Sequence, residues 1–323
     1  MPPPVTAVLD ASSRWLPTRL GEVEERLREA VAGHGERLGE DAAATLAAGG
    51  KRLRPMLVLL CAGEAGGAAS VRAATAIELV HMATLVHDDV LDRAPLRRGQ
   101  PTVVAASGRG RAVATGDLLF SRAFGLLAEA GDDEAVALLA AASVALARGE
   151  LAQRQDAFDL TISEGRYLER CRLKTAKLFE CACLLGHAAA PGSEQGAETM
   201  AEFGQAIGLA FQLLDDVLDI AGPPERTGKA RGTDLLDGTV TLPLIEAAAA
   251  DEGIREVDLR DLDPAAAAAL CDRIAATGAL DRVRARALEM VAAAKGQLQR
   301  AAFAPEQRQL LDLVADGVVQ RYS

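Results

Sequence analysis

Apolar residues recur at three- and four-residue intervals along most of the chain, and the alternation of a half-buried strand is nearly absent. This helical spacing covers segments near 19–47, 56–64, 71–92, 111–129, 134–157, 163–188, 196–221, 240–250, 264–276, 279–301 and 305–321. The breaks carry turn chemistry: Gly49-Gly50, Gly66-Gly67, Gly99-Gln100-Pro101, Pro191-Gly192 and Gly222-Pro223-Pro224. No linker rich in Pro, Gly or Ser divides them, so the pattern predicts one all-α domain spanning residues 1–323, a bundle of about ten or more helices.

One short stretch occurs twice. LVHDDVLD (Leu85–Asp92) and QLLDDVLD (Gln212–Asp219) lie far apart, without a repeating period around them. A solenoid would repeat throughout, so the echo marks a functional element. Residues four apart on a helix differ by only about 40° around the axis, so Asp88 and Asp92 share a face with Asp89 beside them. Asp215, Asp219 and Asp216 repeat the arrangement. Like charges at this spacing weaken a helix by a few tenths of a kcal/mol, which calls for a compensating cation. Magnesium suits, because one or two carboxylates usually hold it together with phosphate oxygens and water. A solvated acidic face is the commoner meaning of one such cluster. At ordinary Asp frequency one DDxxD arises by chance in about one such chain in ten, and two in fewer than about one in a hundred. The apolar flanks (Leu85, Val86, Val90, Leu91; Leu213, Leu214, Val217, Leu218) point to the lining of a cavity.

Cations surround these motifs in the sequence. Gly49-Gly50-Lys51-Arg52-Leu53-Arg54-Pro55 is a glycine turn with three cations before a helix-opening proline. Arg97-Arg98-Gly99 follows the first motif, Lys174 and Lys177 flank Thr175, and Gly228-Lys229 follows the second motif. Arginine's planar fork and lysine's compact charge both suit phosphate oxygens. Singly each reads as a surface charge; together with two acidic clusters they describe a site for two polyanions, one bridged by metal and one held by cations.

Composition narrows the alternatives. A net charge of −11 opposes nucleic acid as a partner. Aromatics are only 3%, while alanine runs such as Ala140–Ala142 and Ala265–Ala269 favour close helix packing. Five cysteines (Cys61, Cys171, Cys181, Cys183, Cys271) show no zinc or disulfide spacing and suggest a reducing cytoplasm. Cys181 and Cys183 read as small core residues. The start, Met1-Pro-Pro-Pro, lacks a signal-peptide layout, and the apolar stretch Ala135–Ala147 is shorter than a membrane span, so a soluble protein is expected. The four histidines and five cysteines form no triad-like group, which fits ionisation of a diphosphate more than nucleophilic catalysis.

The segments GGKRLRP, ELVHMATLVHDDVLDRAPLRRGQPT, GDLLFSRAF, LKTAKLFE, FGQAIGLAFQLLDDVLD and GKARGTDLLDGTVTLP resemble, in order, the trans-isoprenyl diphosphate synthases of the polyprenyl synthetase family. The resemblance implies an isoprenoid-synthase bundle around a central cavity, with the two motifs facing each other and holding three magnesium ions. It implies condensation of isopentenyl diphosphate with an allylic prenyl diphosphate, in a homodimer or a heterodimer. By position it makes Asp88, Asp92 and Asp215 metal ligands, with Asp89, Asp216 and Asp219 assisting. Lys51, Arg54, His81 and Arg98 would hold isopentenyl diphosphate, and Arg97, Lys174, Thr175, Gln212 and Lys229 would face the allylic diphosphate. Lys174 and Thr175 would lie near the developing cation. His81 alone reads as a core histidine.

Thr239 is a departure, since the family often has lysine there; weaker primer binding is expected. Val80, Ala83 and Thr84, one and two turns before the first motif, line the family's product tunnel, and their modest size implies a long all-trans polyprenyl product capped deeper down by Phe120 or Phe124. A shorter, geranylgeranyl-sized product, a subunit needing a partner and a class I terpene cyclase are the alternatives. The second DDxxD and GGKRLRP oppose the cyclase.

Overall fold

The computed structural model describes residues 3–192, 195–222, 231–301 and 303–320. Its helices are α1 (Pro3–Ala11), α2 (Leu16–Val31), α3 (Glu36–Ala47), α4 (Leu53–Ala62), α5 (Gly67–Asp92), α6 (Val103–Ser107), α7 (Arg109–Ala128), α8 (Asp133–Gln155) and α9 (Glu164–Cys171). They continue with α10 (Lys177–Ala188), α11 (Ala197–Ala221), α12 (Thr233–Leu236), α13 (Leu242–Ala250), α14 (Glu252–Arg255), α15 (Pro264–Ala276), α16 (Ala279–Arg300) and α17 (Pro305–Gln320). The all-α expectation holds. The strands among the described residues are β1 (Leu96–Arg97) and β2 (Gln100–Pro101), an antiparallel pair.

The periodic segments became helices with instructive differences. The stretch 19–47 is two helices, because Gly33 and Gly35 both adopt positive φ around His34. Residues 163–188 are also divided: α9 and α10 are joined by a π-helical turn over Arg172–Ala176. Such single π turns occur often at functional sites. Helices α1, α6, α12 and α14 lay outside the predicted segments.

Helix α4 explains the centre of the bundle. Eight successive residues, Pro55 to Ala62, are buried, and α5 and α10 pack against it. A helix apolar on every side belongs inside a core. Glycine lets α10 and α11 approach: a Cβ on Gly204 would sit 2.7 Å from the Phe179 carbonyl oxygen. The five cysteines are free and buried. The apolar stretch near 135–147 belongs to the longer α8, and both Glu64–Asp92 and Asp133–Gln155 are long and apolar enough to cross a membrane. The first is mostly buried within the bundle. The second packs one side on α7, α10 and the π turn.

Candidate active site

Helix α5 ends at the last residue of the first motif, because Arg93 turns into the left-handed region at φ 52°. The β1–β2 hairpin follows, with Arg98 (φ 54°) and Gly99 (φ 77°) as its two turn residues. Two positive-φ residues match the twist of a tight hairpin. The turn folds Arg97 back onto the motif, where its Nε donates to Asp89 Oδ1 at 2.8 Å. Asp89 is thus buried and paired, while Asp92 is exposed and meets Arg154 at 3.0 Å. Arg154 also contacts Glu150 at 3.1 Å, and Glu150 holds Lys174 Nζ at 2.5 Å. Burial pushes Asp88 up to about 6; Lys174 opposes that shift, and Glu150 and Asp92 add to it.

The second copy is held differently. Asp216 is 3% exposed, its Oδ2 accepting from the Tyr167 hydroxyl at 2.5 Å and its Oδ1 from Gln212 Nε2 at 2.7 Å. Burial pushes it up to about 7 against these hydrogen bonds. Asp215 is exposed, and Asp219 Oδ2 accepts the backbone N–H of Asp234 at 3.2 Å, anchoring the start of α12.

The π turn joins the two copies. Its Lys174 reaches Glu150 beside the first motif, and its Thr175 Oγ1 donates to Gln212 Oε1 at 2.7 Å beside the second. Glycines make room for it: a Cβ on Gly149 of α8 would lie 2.5 Å from Lys174 N, and one on Gly208 of α11 2.6 Å from Ala176 Cα. Residues from two distant helices, α8 and α11, therefore converge on one loosened helical turn.

A cationic cradle lies beside α5, where the lining of a cavity of about 510 Å³ includes Arg52, Glu78, His81, Asp89, Arg97 and Arg98 together with Ala44, Met82, Leu85 and Val103. At Gly50 a Cβ would meet the guanidinium groups of Arg52 and Arg98 at 3.1 and 3.3 Å, so both arginine heads lie close against the glycine turn. Arg52, in the left-handed region at φ 49°, bonds Glu24 at 2.5 Å and Glu78 at 2.8 Å. Arg54 lies over the Phe179 ring at 4.6 Å; burial pushes it down to about 10, and its Nε has no hydrogen-bond partner among the described residues. His81 is held well below its usual range by burial and then by Arg54, Arg98, Arg97 and Arg52, so its imidazole is neutral.

The other predicted positions fall as follows. Lys51 is exposed at the glycine turn and does not line the cavity. Val80 and Ala83 are buried, and half-buried Thr84 bonds the His81 carbonyl of its own helix. Phe120 stacks on His87 at 5.8 Å, beside the first motif, and Phe124 is half-buried against the core. Thr239 is half-buried beside Gly238, on which Phe158 packs. Lys229 lies outside the described residues. Arg52, Glu150, Arg154 and Tyr167 were missed; the first was visible between Lys51 and Arg54 in the sequence, and the others look like ordinary surface or core residues. Among the described residues no three acidic, histidine or cysteine side chains form a ready-made metal cage.

Fold and site together define a helical bundle that gathers carboxylates and cations around one helical turn and one cavity. The sequence matches the polyprenyl synthetase family over residues 36–264. It is 41% identical over 279 residues to heptaprenyl diphosphate synthase component 2 of Geobacillus stearothermophilus, covering 85% of this chain and 87% of that protein. It is 33% identical over 288 residues to geranylgeranyl diphosphate synthase of Methanosarcina mazei, covering 85% and 86%. A solved polyprenyl synthase from Caulobacter crescentus CB15, complexed with calcium and isoprenyl diphosphate, is similar with a TM-score of 0.90 and 34% identity, over 99% and 98% of the two chains. This chain belongs to the polyprenyl synthetase family and is a prenyltransferase.

Proposed function

We propose that the chain condenses isopentenyl diphosphate head-to-tail with an allylic prenyl diphosphate, giving a long all-trans polyprenyl diphosphate. The observation that carries this reading is the π turn, which sets one cation beside the first acidic motif and one hydroxyl beside the second. The residues fit magnesium: each motif presents an exposed outer carboxylate, Asp92 in the first and Asp215 in the second, and oxygen donors of this kind suit that ion. Asp88, Asp92 and Asp215 would hold the ions, with Asp89, Asp216 and Asp219 supporting. Magnesium held there would supply positive charge to offset that of a departing diphosphate.

The chain's own groups do the rest. Lys174, Arg97 and Lys229 bind the leaving diphosphate, while His81 and Arg98 orient isopentenyl diphosphate at the cradle, with Lys51 and Arg54, beside Arg52 in sequence, adding positive charge. Cleavage of the allylic C–O bond releases diphosphate and leaves a cation. The double bond of isopentenyl diphosphate attacks it, one C–C bond forms, and loss of one proton yields the longer product. Buried walls keep water from the cation.

Product length is assigned to Val80, Ala83 and Thr84. Ala83→Phe should shorten the product, and an unchanged length places the stop elsewhere. The exposed apolar residues Val113 of α7 and Val144 and Leu151 of α8 support a dimer. A second reading, a subunit active only with a partner, is favoured by the "component 2" in the name of the Geobacillus relative. Purified chain alone, given labelled isopentenyl diphosphate, allylic primer and magnesium, separates the two. Turnover alone supports an autonomous enzyme, and turnover only with an added partner supports the subunit.

A further inference from the structure

Tyr167 has no part in the chemistry above, yet it lies at the root of the site. It is completely buried on α9, and its hydroxyl reaches Asp216 on α11. Asp216 accepts from Gln212 Nε2, and Gln212 Oε1 accepts from Thr175 on the π turn. These four side chains form one chain of hydrogen bonds, 2.5, 2.7 and 2.7 Å long, through three segments.

With both Asp216 oxygens accepting, the order fixes every polarity. A phenol that donates to one carboxylate oxygen leaves the other to accept from the Gln212 amide. The amide nitrogen then faces Asp216 and its oxygen faces Thr175, so the Thr175 hydroxyl has to donate. With its proton committed, that oxygen turns only lone pairs to the rest of the site, the polarity suited to a neighbouring carbocation. We infer that Tyr167 is a positioning residue that acts through Asp216 and Gln212 to fix the orientation of the Thr175 hydroxyl. The inference rests on the proposed condensation, in which Thr175 lies near the cation. Arg170, one turn along α9, supports the arrangement: it is buried, donates to the Val240 carbonyl at 2.5 Å and lies 5.4 Å from the Tyr167 ring centroid.

The test is a double-mutant cycle of Tyr167→Phe, which keeps the ring, and Thr175→Val, which keeps the shape. Tyr167→Phe should lower kcat by about tenfold, the scale of one hydrogen bond to a charged group, with primer KM changed by less than about twofold. In the Thr175→Val background it should have no further effect on kcat. An unchanged kcat, or losses that simply multiply, overturns the inference. A spectroscopic arm covers the case in which Tyr167→Phe does not fold. The chain has two tyrosines, Tyr167 and Tyr322, so fluorotyrosine in a Tyr322→Phe protein labels position 167 alone. Its fluorine resonance should move when Thr175 becomes Val, and a resonance that stays put overturns the link. Wild-type protein inactive with all substrates and with a partner refutes the proposed function instead, and the fluorine result stands apart from it.

Discussion

The two DDVLD copies have the same five residues and different surroundings. In the first, charge meets charge: Arg97 on Asp89, Arg154 on Asp92, and Lys174 approaching through Glu150. In the second, neutral hydrogen-bond donors hold the acid: Tyr167 and Gln212 on Asp216, and a backbone N–H on Asp219. Ion pairs on part-exposed side chains are weak and exchangeable, whereas a buried hydrogen-bonded carboxylate is fixed. On the proposed reading the first copy trades the outer partners of Asp92 and Lys174 for metal and diphosphate, while the second holds still. In both, the middle aspartate is the buried, locked one and another aspartate of the motif is exposed.

The largest effect should come from Asp88→Asn or Asp215→Asn, each lowering kcat by about a thousandfold, since transition-state charge loses its counterion. Asp89→Asn should cost markedly less in kcat; equal losses would erase the division between presented and locked aspartates. Gly149→Ala should follow, since the added Cβ would lie 2.5 Å from Lys174 N. Forcing α8 from the π turn should destabilise the fold by about 2 kcal/mol, read as a lower denaturation midpoint, and an unchanged midpoint would show the turn to be pliable.

The raised acids give a pH dependence. Asp88 at about 6 and Asp216 at about 7 bind protons more tightly folded than unfolded, where the ordinary value is 3.8. The unfolded chain therefore holds fewer protons between those values, and metal-free stability falls as pH rises from 4 through 7. Melting at pH 5 and 7.5 should show the fall, with magnesium restoring more at the higher pH. A smaller change is expected from Glu150→Gln, which frees Lys174 from its carboxylate and should lower primer KM by about threefold. A raised KM would mean that Glu150 guides Lys174 and does not compete for it. Thr239→Lys should strengthen primer binding modestly, and unchanged affinity would show that the site does not need that cation.

Much of this was legible in the sequence. Helical periodicity gave the bundle because apolar spacing reports burial directly, and the aspartates and arginines stood out because such charges at such spacing have few structural uses. The split at Gly33–Gly35 was written in its glycines, although the pattern around it ran on. What stayed hidden depends on distant partners. Glu150 and Arg154 look like an i,i+4 surface pair until α8 is brought to α5. Tyr167 looks like any core aromatic until α9 meets α11. The π turn, RLKTA, is made of residues compatible with an ordinary helix, and only packing against Gly149 and Gly208 marks it. The inequality of the two motifs was equally invisible, since the pentapeptides are the same and their neighbours come from elsewhere in the chain.

The central claim, that both motifs and the π turn form one metal-dependent diphosphate site, can be measured by calorimetric binding of an unreactive allylic thiolodiphosphate. Binding should require magnesium and be lost in both Asp88→Asn and Asp215→Asn. Tight binding without magnesium, or binding that survives the loss of either motif, would contradict it.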